Sequence, residues 1–179
     1  ALTRAMAEEA VTLIVQYLFR AYDNGSDAEA RAKMLRASYC AGVAFTRSYV
    51  GYVHGVAHSL GGRYGVPHGL ANAVILPYFL EEYGASCHRS LAKLSRMTNL
   101  AAKNDSDSIA AEKFIAWVKD TNRAMGIPAS IPEIRRADIP ALAARAAKES
   151  NPLYPVPKLM NRRELETMYL KLMPKEDAQ

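Results

Sequence analysis

Three of the chain's four histidines lie within residues 54–68. His54 and His58 are four residues apart in an apolar stretch, so in a helix both imidazoles project from one face. Two imidazoles in that arrangement can share a metal ion. His68 follows a glycine-rich segment that can bring a third imidazole back toward the pair. The spacing alone therefore favours a metal site built on His54 and His58.

The alternative for these histidines is a structural role, in which each ring is buried and bonded to backbone carbonyls. A single histidine on an apolar face is most often of that kind. Three in so short a stretch, separated by glycines, favour a functional site instead. Gly61 and Gly62 are expected to end the histidine helix, because glycine tolerates the left-handed conformation that closes a helix.

The residues around the histidines form a long, ordered motif. It comprises residues 53–58 (VHGVAH), 60–62 (LGG) and 67–77 (PHGLANAVILP), with a further match upstream at residues 41–46 (AGVAFT). This motif resembles the signature of the iron-containing alcohol dehydrogenase family. The rest of the chain resembles that family's all-helical C-terminal domain more loosely.

The resemblance assigns the histidines differently from their spacing. His54 and His68 match the family's last two metal ligands, while His58 matches a histidine beside the open metal position and the nicotinamide. The resemblance implies Fe2+, or Zn2+ in some relatives, acting as a Lewis acid on the alcohol oxygen while hydride leaves for NAD or NADP. His58 is then the catalytic candidate, positioning the substrate or relaying its proton. We follow the family assignment.

Two further residues are site candidates. Phe45 matches a family position that faces the substrate, although an aromatic residue at helical spacing is more often part of a core. Asn72 could support a ligand imidazole by a hydrogen bond. Arg47 and Arg63 could bind an anionic group of the substrate or the cofactor, but a surface or interdomain ion pair is the preferred interpretation for both.

The family's glycine-rich phosphate loop and its Asp-x-x-x-His ligand helix have no counterpart in the chain. We therefore expect a C-terminal portion that begins just after that helix. NAD or NADP would be bound mainly by the missing N-terminal nucleotide-binding domain, and the isolated chain would be inactive. A small alcohol or aldehyde is the expected substrate, and a homo-oligomer is one expected assembly.

The composition excludes several classes of protein. Half of the 179 residues are hydrophobic, and no low-complexity tract indicates disorder. The net charge is +5, but Lys and Arg are interleaved with acidic residues, so no nucleic-acid partner is expected. The most apolar run, residues 70–80, is shorter than the roughly 20 residues of a membrane span. Cys40 and Cys87 are expected to be reduced structural thiols, which fits a cytoplasmic enzyme.

Apolar residues recur at helical spacing along the chain, and no alternating strand pattern competes. The first helix is expected to end near Tyr22, and a capping box of Ser26 and Glu29 to start the second. Asn151 and Pro152 mark an extended connector, after which Asn161 with Glu164 is expected to start the last helix. A helix over residues 70–83 should be kinked or interrupted near Pro77. The predicted fold class is all-α, a multi-helix bundle. Residues 1–179 are expected to form one C-terminal helical metal- and substrate-binding domain, with a frayed tail at residues 173–179.

Two other functions compete with a dehydrogenase part. One is a non-catalytic helical module that holds a structural metal or binds a partner through an exposed apolar surface. The other is a metal-dependent hydrolase built on the His54/His58 helix. The hydrolase is the weakest, because Gly55 stands where a general-base glutamate would follow the first histidine.

Overall fold

A computed structural model describes residues 2–175 of the chain. Every regular element in that range is helical and none is a strand, which confirms the predicted all-α fold class. The helices are α1 (Leu2–Asp23), α2 (Ala28–Ser48), α3 (Tyr52–Tyr64), α4 (His68–Tyr83), α5 (Ala85–Met97), α6 (Asp107–Ala124), α7 (Ile139–Ser150) and α8 (Arg162–Leu172), with a 3-10 turn at Arg136–Asp138 before α7.

The chain divides into two compact units. The first contains residues 1–49 and 88–114, and the second contains residues 50–87 and 115–179. The boundary cuts through α5 and α6, so each unit is built from two separate stretches of sequence. The assignment of the whole chain to one domain stays a prediction.

In the first unit, α1 packs along α2. Asp27 closes the turn between them. Its carboxylate accepts a hydrogen bond from the Ala30 N–H at 2.9 Å and forms an ion pair with Arg20 at 2.9 Å. Asp27 is therefore the N-cap of α2, and the predicted Ser26 and Glu29 capping box is wrong by one residue. A carboxylate satisfies a free helical N–H well and interacts favourably with the helix dipole.

In the second unit, α3 packs against α4 and α7, and α8 packs against α7 and α4. The ring of Tyr52, at the start of α3, is fully buried and stacks on Phe79 at 6.1 Å between centroids. Its hydroxyl donates to Asn151 Oδ1 at 2.6 Å and accepts from the Met160 N–H at 3.0 Å. Tyr52 thus ties the start of α3 to the chain just after α7.

The histidine helix continues past the glycine pair, so the expectation that Gly61 and Gly62 end it is wrong. The residue that closes α3 is Gly65, which has a left-handed φ of 71° and donates its N–H to the Gly61 carbonyl. Gly62 instead lies beside Arg145 of α7, and Gly55 lies against Ser150. A Cβ at Gly55 would overlap Ser150 Oγ and lie 3.5 Å from the Ala146 carbonyl. The α3 glycines therefore allow close packing against α7.

The sequence predicted that α4 is kinked or interrupted near Pro77. Pro77 lies inside α4 and does not interrupt it. Proline has no N–H, so the carbonyl four residues earlier, at Ala73, loses its helical donor. The side chain of Asn122 donates to that carbonyl at 2.7 Å. The substitute donor satisfies the backbone at the proline and fixes α6 against the middle of α4.

The remaining predictions for the fold have mixed outcomes. Asn161 caps α8 in a full capping box with Glu164, which agrees with its predicted role as a helix start. Met173 is buried, while fraying of residues 176–179 lies outside the described range. Both cysteines are free and buried. Among residues 2–175 there is no helix with the length and apolar character needed to cross a membrane.

Candidate functional site

Helices α3 and α4 bring three histidines together in the second unit. His54 and His58 lie one turn apart on α3, and His68 is the first residue of α4. The ring centroids are 5.9 Å apart for His54 and His58, 5.4 Å for His54 and His68, and 5.3 Å for His58 and His68. The short loop after Gly65 therefore returns the third imidazole to the other two, as the sequence predicted.

His54 is the least exposed of the three rings, being half-buried while His58 and His68 are exposed. Burial lowers the pKa of His54, and charges on His68 and His58 lower it further. Both causes disfavour the imidazolium form, so His54 is neutral at pH 7. A neutral imidazole has the free nitrogen lone pair that metal coordination requires.

His58 has an acidic partner that the sequence did not reveal. Its Nδ1 donates to Glu149 Oε1 of α7 at 2.6 Å. The Tyr154 hydroxyl donates to the same carboxylate oxygen at 3.1 Å. Burial and the Glu149 carboxylate both raise the pKa of Tyr154, which keeps the phenol protonated as a donor.

His68 is held by the next turn of its own helix. The Asn72 Nδ2 group donates to His68 Nε2 at 3.0 Å and to the His68 carbonyl at 2.9 Å. In this pairing Nε2 accepts the hydrogen bond, so its lone pair is engaged by Asn72. The other amide atom, Asn72 Oδ1, is buried without a partner, so the Asn72 amide is incompletely satisfied.

The imidazole spacing can be compared with metal geometry. Two imidazoles on one tetrahedral ion, with bonds of about 2.1 Å, place their centroids about 5.3 Å apart. Both pairs that include His68 match this spacing, whereas the His54 and His58 pair is wider. Among residues 2–175, no three His, Cys, Asp or Glu side chains converge closely enough to hold a metal by themselves. The residues thus fit a metal as two imidazole ligands that need further ligands.

The other predicted site residues are distributed over both units. Asn72 lies with the histidines, while Phe45 belongs to α2 of the first unit and is 51% exposed. Arg47, in the last turn of α2, is also exposed and has no carboxylate within ion-pair distance in the described part of the chain. The structure therefore places the three histidines and Asn72 in the second unit and Phe45 in the first.

Arg63 is engaged by an ion pair, which agrees with the preferred interpretation from the sequence. Its guanidinium donates to both Asp138 carboxylate oxygens, at 2.9 and 3.3 Å. The Tyr64 hydroxyl donates to Asp138 at 2.8 Å, and Arg135 approaches the same carboxylate at 3.2 Å. Hydrogen bonds from Arg63 and then Tyr64 lower the pKa of Asp138. This network fixes the end of α3 to the start of α7.

Sequence reasoning missed Glu149, Tyr154 and the Tyr52 contact with Asn151. Glu149 lies 91 residues from His58, so no local spacing connects them. The only sequence signal nearby was the Asn151 and Pro152 pair, which indicated a connector and nothing about the site. These contacts depend on how α7 packs on α3.

Comparison with known proteins identifies the family. Residues 1–173 match the C-terminal region of the Fe-containing alcohol dehydrogenase family. The chain is 35% identical over 169 residues to a 1,3-propanediol dehydrogenase of Klebsiella pneumoniae, covering 93% of this chain and 43% of that protein. It is also 35% identical over 162 residues to an NAD-dependent methanol dehydrogenase of Bacillus methanolicus, covering 84% and 41%.

A solved structure agrees with these sequence matches. The fold superimposes on a crystal structure of 1,3-propanediol oxidoreductase with a TM-score of 0.90 and 33% identity, covering 97% of this chain and 46% of that one. The chain spans less than half the length of the relatives it matches. The histidine motif, the helical fold and these similarities together show that the chain belongs to the Fe-containing alcohol dehydrogenase family, as its C-terminal region.

Proposed function

We propose that this chain is the metal-binding C-terminal part of an NAD(P)-dependent alcohol dehydrogenase. The complete enzyme would oxidise an alcohol or reduce an aldehyde by metal-assisted hydride transfer. The observation that carries the proposal is the cluster of three imidazoles with centroids 5.3–5.9 Å apart in the second unit. The similarity to a 1,3-propanediol dehydrogenase and a methanol dehydrogenase supports the substrate class.

In this proposal His54 and His68 are the two metal ligands supplied by the chain. His54 is suited to the role because its lowered pKa leaves a free lone pair at neutral pH. Asn72 holds the ring of His68 from the adjacent turn through its contact with Nε2. A bound Fe2+ or Zn2+ would supply Lewis acidity to the substrate oxygen.

His58 is the proposed catalytic histidine. Its Nδ1 is held by Glu149, so the ring has Nε2 available to position the alcohol or to exchange a proton with it. Phe45 is the proposed substrate-contacting residue of the first unit. The nicotinamide would lie beside His58, since the hydride must pass between the substrate carbon and the cofactor at close range.

The nucleotide would be bound mainly by an N-terminal domain, because the chain covers less than half of each relative. The chain alone offers two proposed metal ligands, while a catalytic site needs about three protein ligands and an open position. We therefore propose that the isolated chain is inactive. The cytoplasmic location and the homo-oligomer stay predictions.

The coding sequence upstream of Ala1 tests this proposal. We expect an in-frame extension of about 200 residues, the size of a typical domain, with a glycine-rich loop and an Asp-x-x-x-His helix. The intact protein in its source cells should then be far heavier than 19.7 kDa. A stop codon close upstream, with a native mass near 19.7 kDa, would contradict the proposal. That outcome would favour the non-catalytic metal- or partner-binding module.

A further inference from the structure

We propose that Glu149 is the positioning residue of His58. Its carboxylate would fix both the ring orientation of His58 and the nitrogen that carries the permanent proton. The inference rests on the proposed function for its catalytic meaning, but its structural content concerns only residues of the second unit. It adds to the site a residue of α7, which lies outside the histidine motif.

The carboxylate of Glu149 is in close contact with the His58 ring. Glu149 Oε1 lies 2.6 Å from His58 Nδ1, within the range of a charge-assisted hydrogen bond. A carboxylate only accepts hydrogen bonds, so Nδ1 must carry a proton whether the ring is neutral or charged. Nε2 is then the nitrogen that Glu149 leaves free. Partners of this kind commonly fix the tautomer of functional histidines.

Glu149 is itself held in place by its surroundings. Tyr154 donates to the same oxygen at 3.1 Å, so Oε1 receives two hydrogen bonds from different directions. The next residue, Ser150, is fully buried against Gly55 of α3. Asn151 then bonds to the Tyr52 hydroxyl at 2.6 Å. The end of α7 is thus fixed to α3 one turn before His58.

The pairing with Glu149 restricts both the rotation and the tautomer of the His58 ring. Without an acceptor at Nδ1, the ring of the exposed His58 could rotate about its side-chain bonds and adopt either tautomer. Stacking on His68, with an interplanar angle of 19°, limits the ring plane but does not choose between the nitrogens. Within residues 2–175, the Glu149 contact is the one that distinguishes Nδ1 from Nε2. We infer that it presents Nε2 as the reactive nitrogen.

The first arm of the test is ¹⁵N NMR of the 179-residue chain at a pH of about 8.5, where histidines are neutral. Long-range ¹H–¹⁵N correlations should show His58 protonated at Nδ1. His88, whose ring has no hydrogen-bond partner in the described residues, is the internal reference for the Nε2–H form usual in exposed histidines. Glu149→Gln should keep the Nδ1–H form, since the Tyr154 and His58 donors both select its amide oxygen. Glu149→Leu should lose it.

The NMR result overturns the proposal if wild-type His58 is protonated at Nε2, or if Glu149→Leu leaves its tautomer unchanged. Unchanged methyl signals of Val56, which is fully buried in α3, show that the variants keep the fold around the cluster. This arm needs no activity, so it remains informative even if the proposed dehydrogenase function is wrong.

The second arm uses the protein extended upstream of Ala1. Glu149→Leu should lower kcat about 10- to 100-fold with little change in KM, the usual cost of removing a supporting partner. Glu149→Gln should recover most of that loss. A Glu149→Leu variant with parental kcat would overturn the positioning role. If the parent protein shows no dehydrogenase activity while the tautomer is as expected, the proposed function fails and the Glu149 geometry stands.

Discussion

Replacing His54 or His68 with alanine is expected to abolish metal retention in the extended protein, while His58→Ala retains the metal. Each proposed ligand supplies a coordinate bond, and in residues 2–175 no set of three His, Cys, Asp or Glu side chains is close enough to hold the metal without it. We expect a loss of affinity of at least about 100-fold, beyond the effect of removing a supporting residue. His58 lies equally close to the cluster but is bonded to Glu149.

The measurement is the metal content per protein after desalting, by elemental analysis, for the three variants and for His88→Ala. His88 belongs to the first unit and is the matched control, since it is the fourth histidine of the chain. Metal loss in all three cluster variants would restore His58 as a ligand and contradict the family assignment. Retention in His54→Ala would refute the site as a whole.

The second prediction is that Gly55→Ala destabilises the chain although alanine is the better helix former. The new Cβ would overlap Ser150 Oγ, and Ser150 is fully buried, so its hydroxyl has little space to move. Overpacking of this kind costs about 1–3 kcal/mol, while replacing a helical glycine gains roughly 1 kcal/mol. We expect a net loss of up to about 2 kcal/mol in the free energy of unfolding.

The Ser150→Ala background tests the cause. Ser150 Oγ has no hydrogen-bond partner, so Ser150→Ala alone should be nearly neutral. In that background the overlap is removed, and Gly55→Ala should become neutral or stabilising by up to about 1 kcal/mol. Gly42→Ala is the control, because Gly42 lies in α2 with open space around its Cβ position and should gain stability. Urea unfolding measures all four variants, and equal losses from Gly55→Ala in both backgrounds would exclude the overlap as the cause.

The elements that sequence patterns predict well are those fixed by local chemistry. The all-α fold follows from helical periodicity, and the α8 capping box follows from Asn161 and Glu164. The grouping of His54, His58 and His68 also follows from local spacing, because the connecting loop is too short to carry His68 far.

The predictions that failed depend on packing between helices. Gly61 and Gly62 were expected to end α3, but Gly62 lies beside Arg145 of α7 and Gly65 ends the helix instead. An interruption of α4 near Pro77 was one of two expected outcomes, but the helix continues through Pro77 and Asn122 satisfies the carbonyl that the proline leaves free. Local sequence cannot reveal a compensating donor on another helix.

In the candidate site too, local sequence predicted what lies within one stretch of chain and missed what depends on packing between helices. The histidines were found from their types and spacing, whereas Glu149 was not, since only the packing of α7 on α3 brings it to His58. Spacing favoured His54 and His58 as the pair that shares an ion, and the rings of these two histidines are the widest pair of the three. Contacts across helices decide which nitrogen atoms are available.

The most direct test of the central claim is hydride transfer by the extended protein. The measurement is the transfer of deuterium from the carbinol carbon of labelled primary alcohols and diols to NAD+ or NADP+, read by mass spectrometry of the reduced cofactor. We predict labelled cofactor, loss of the transfer after chelation, and its return with Fe2+ or Zn2+. A folded, metal-loaded protein that leaves the cofactor unlabelled with every alcohol would contradict the account.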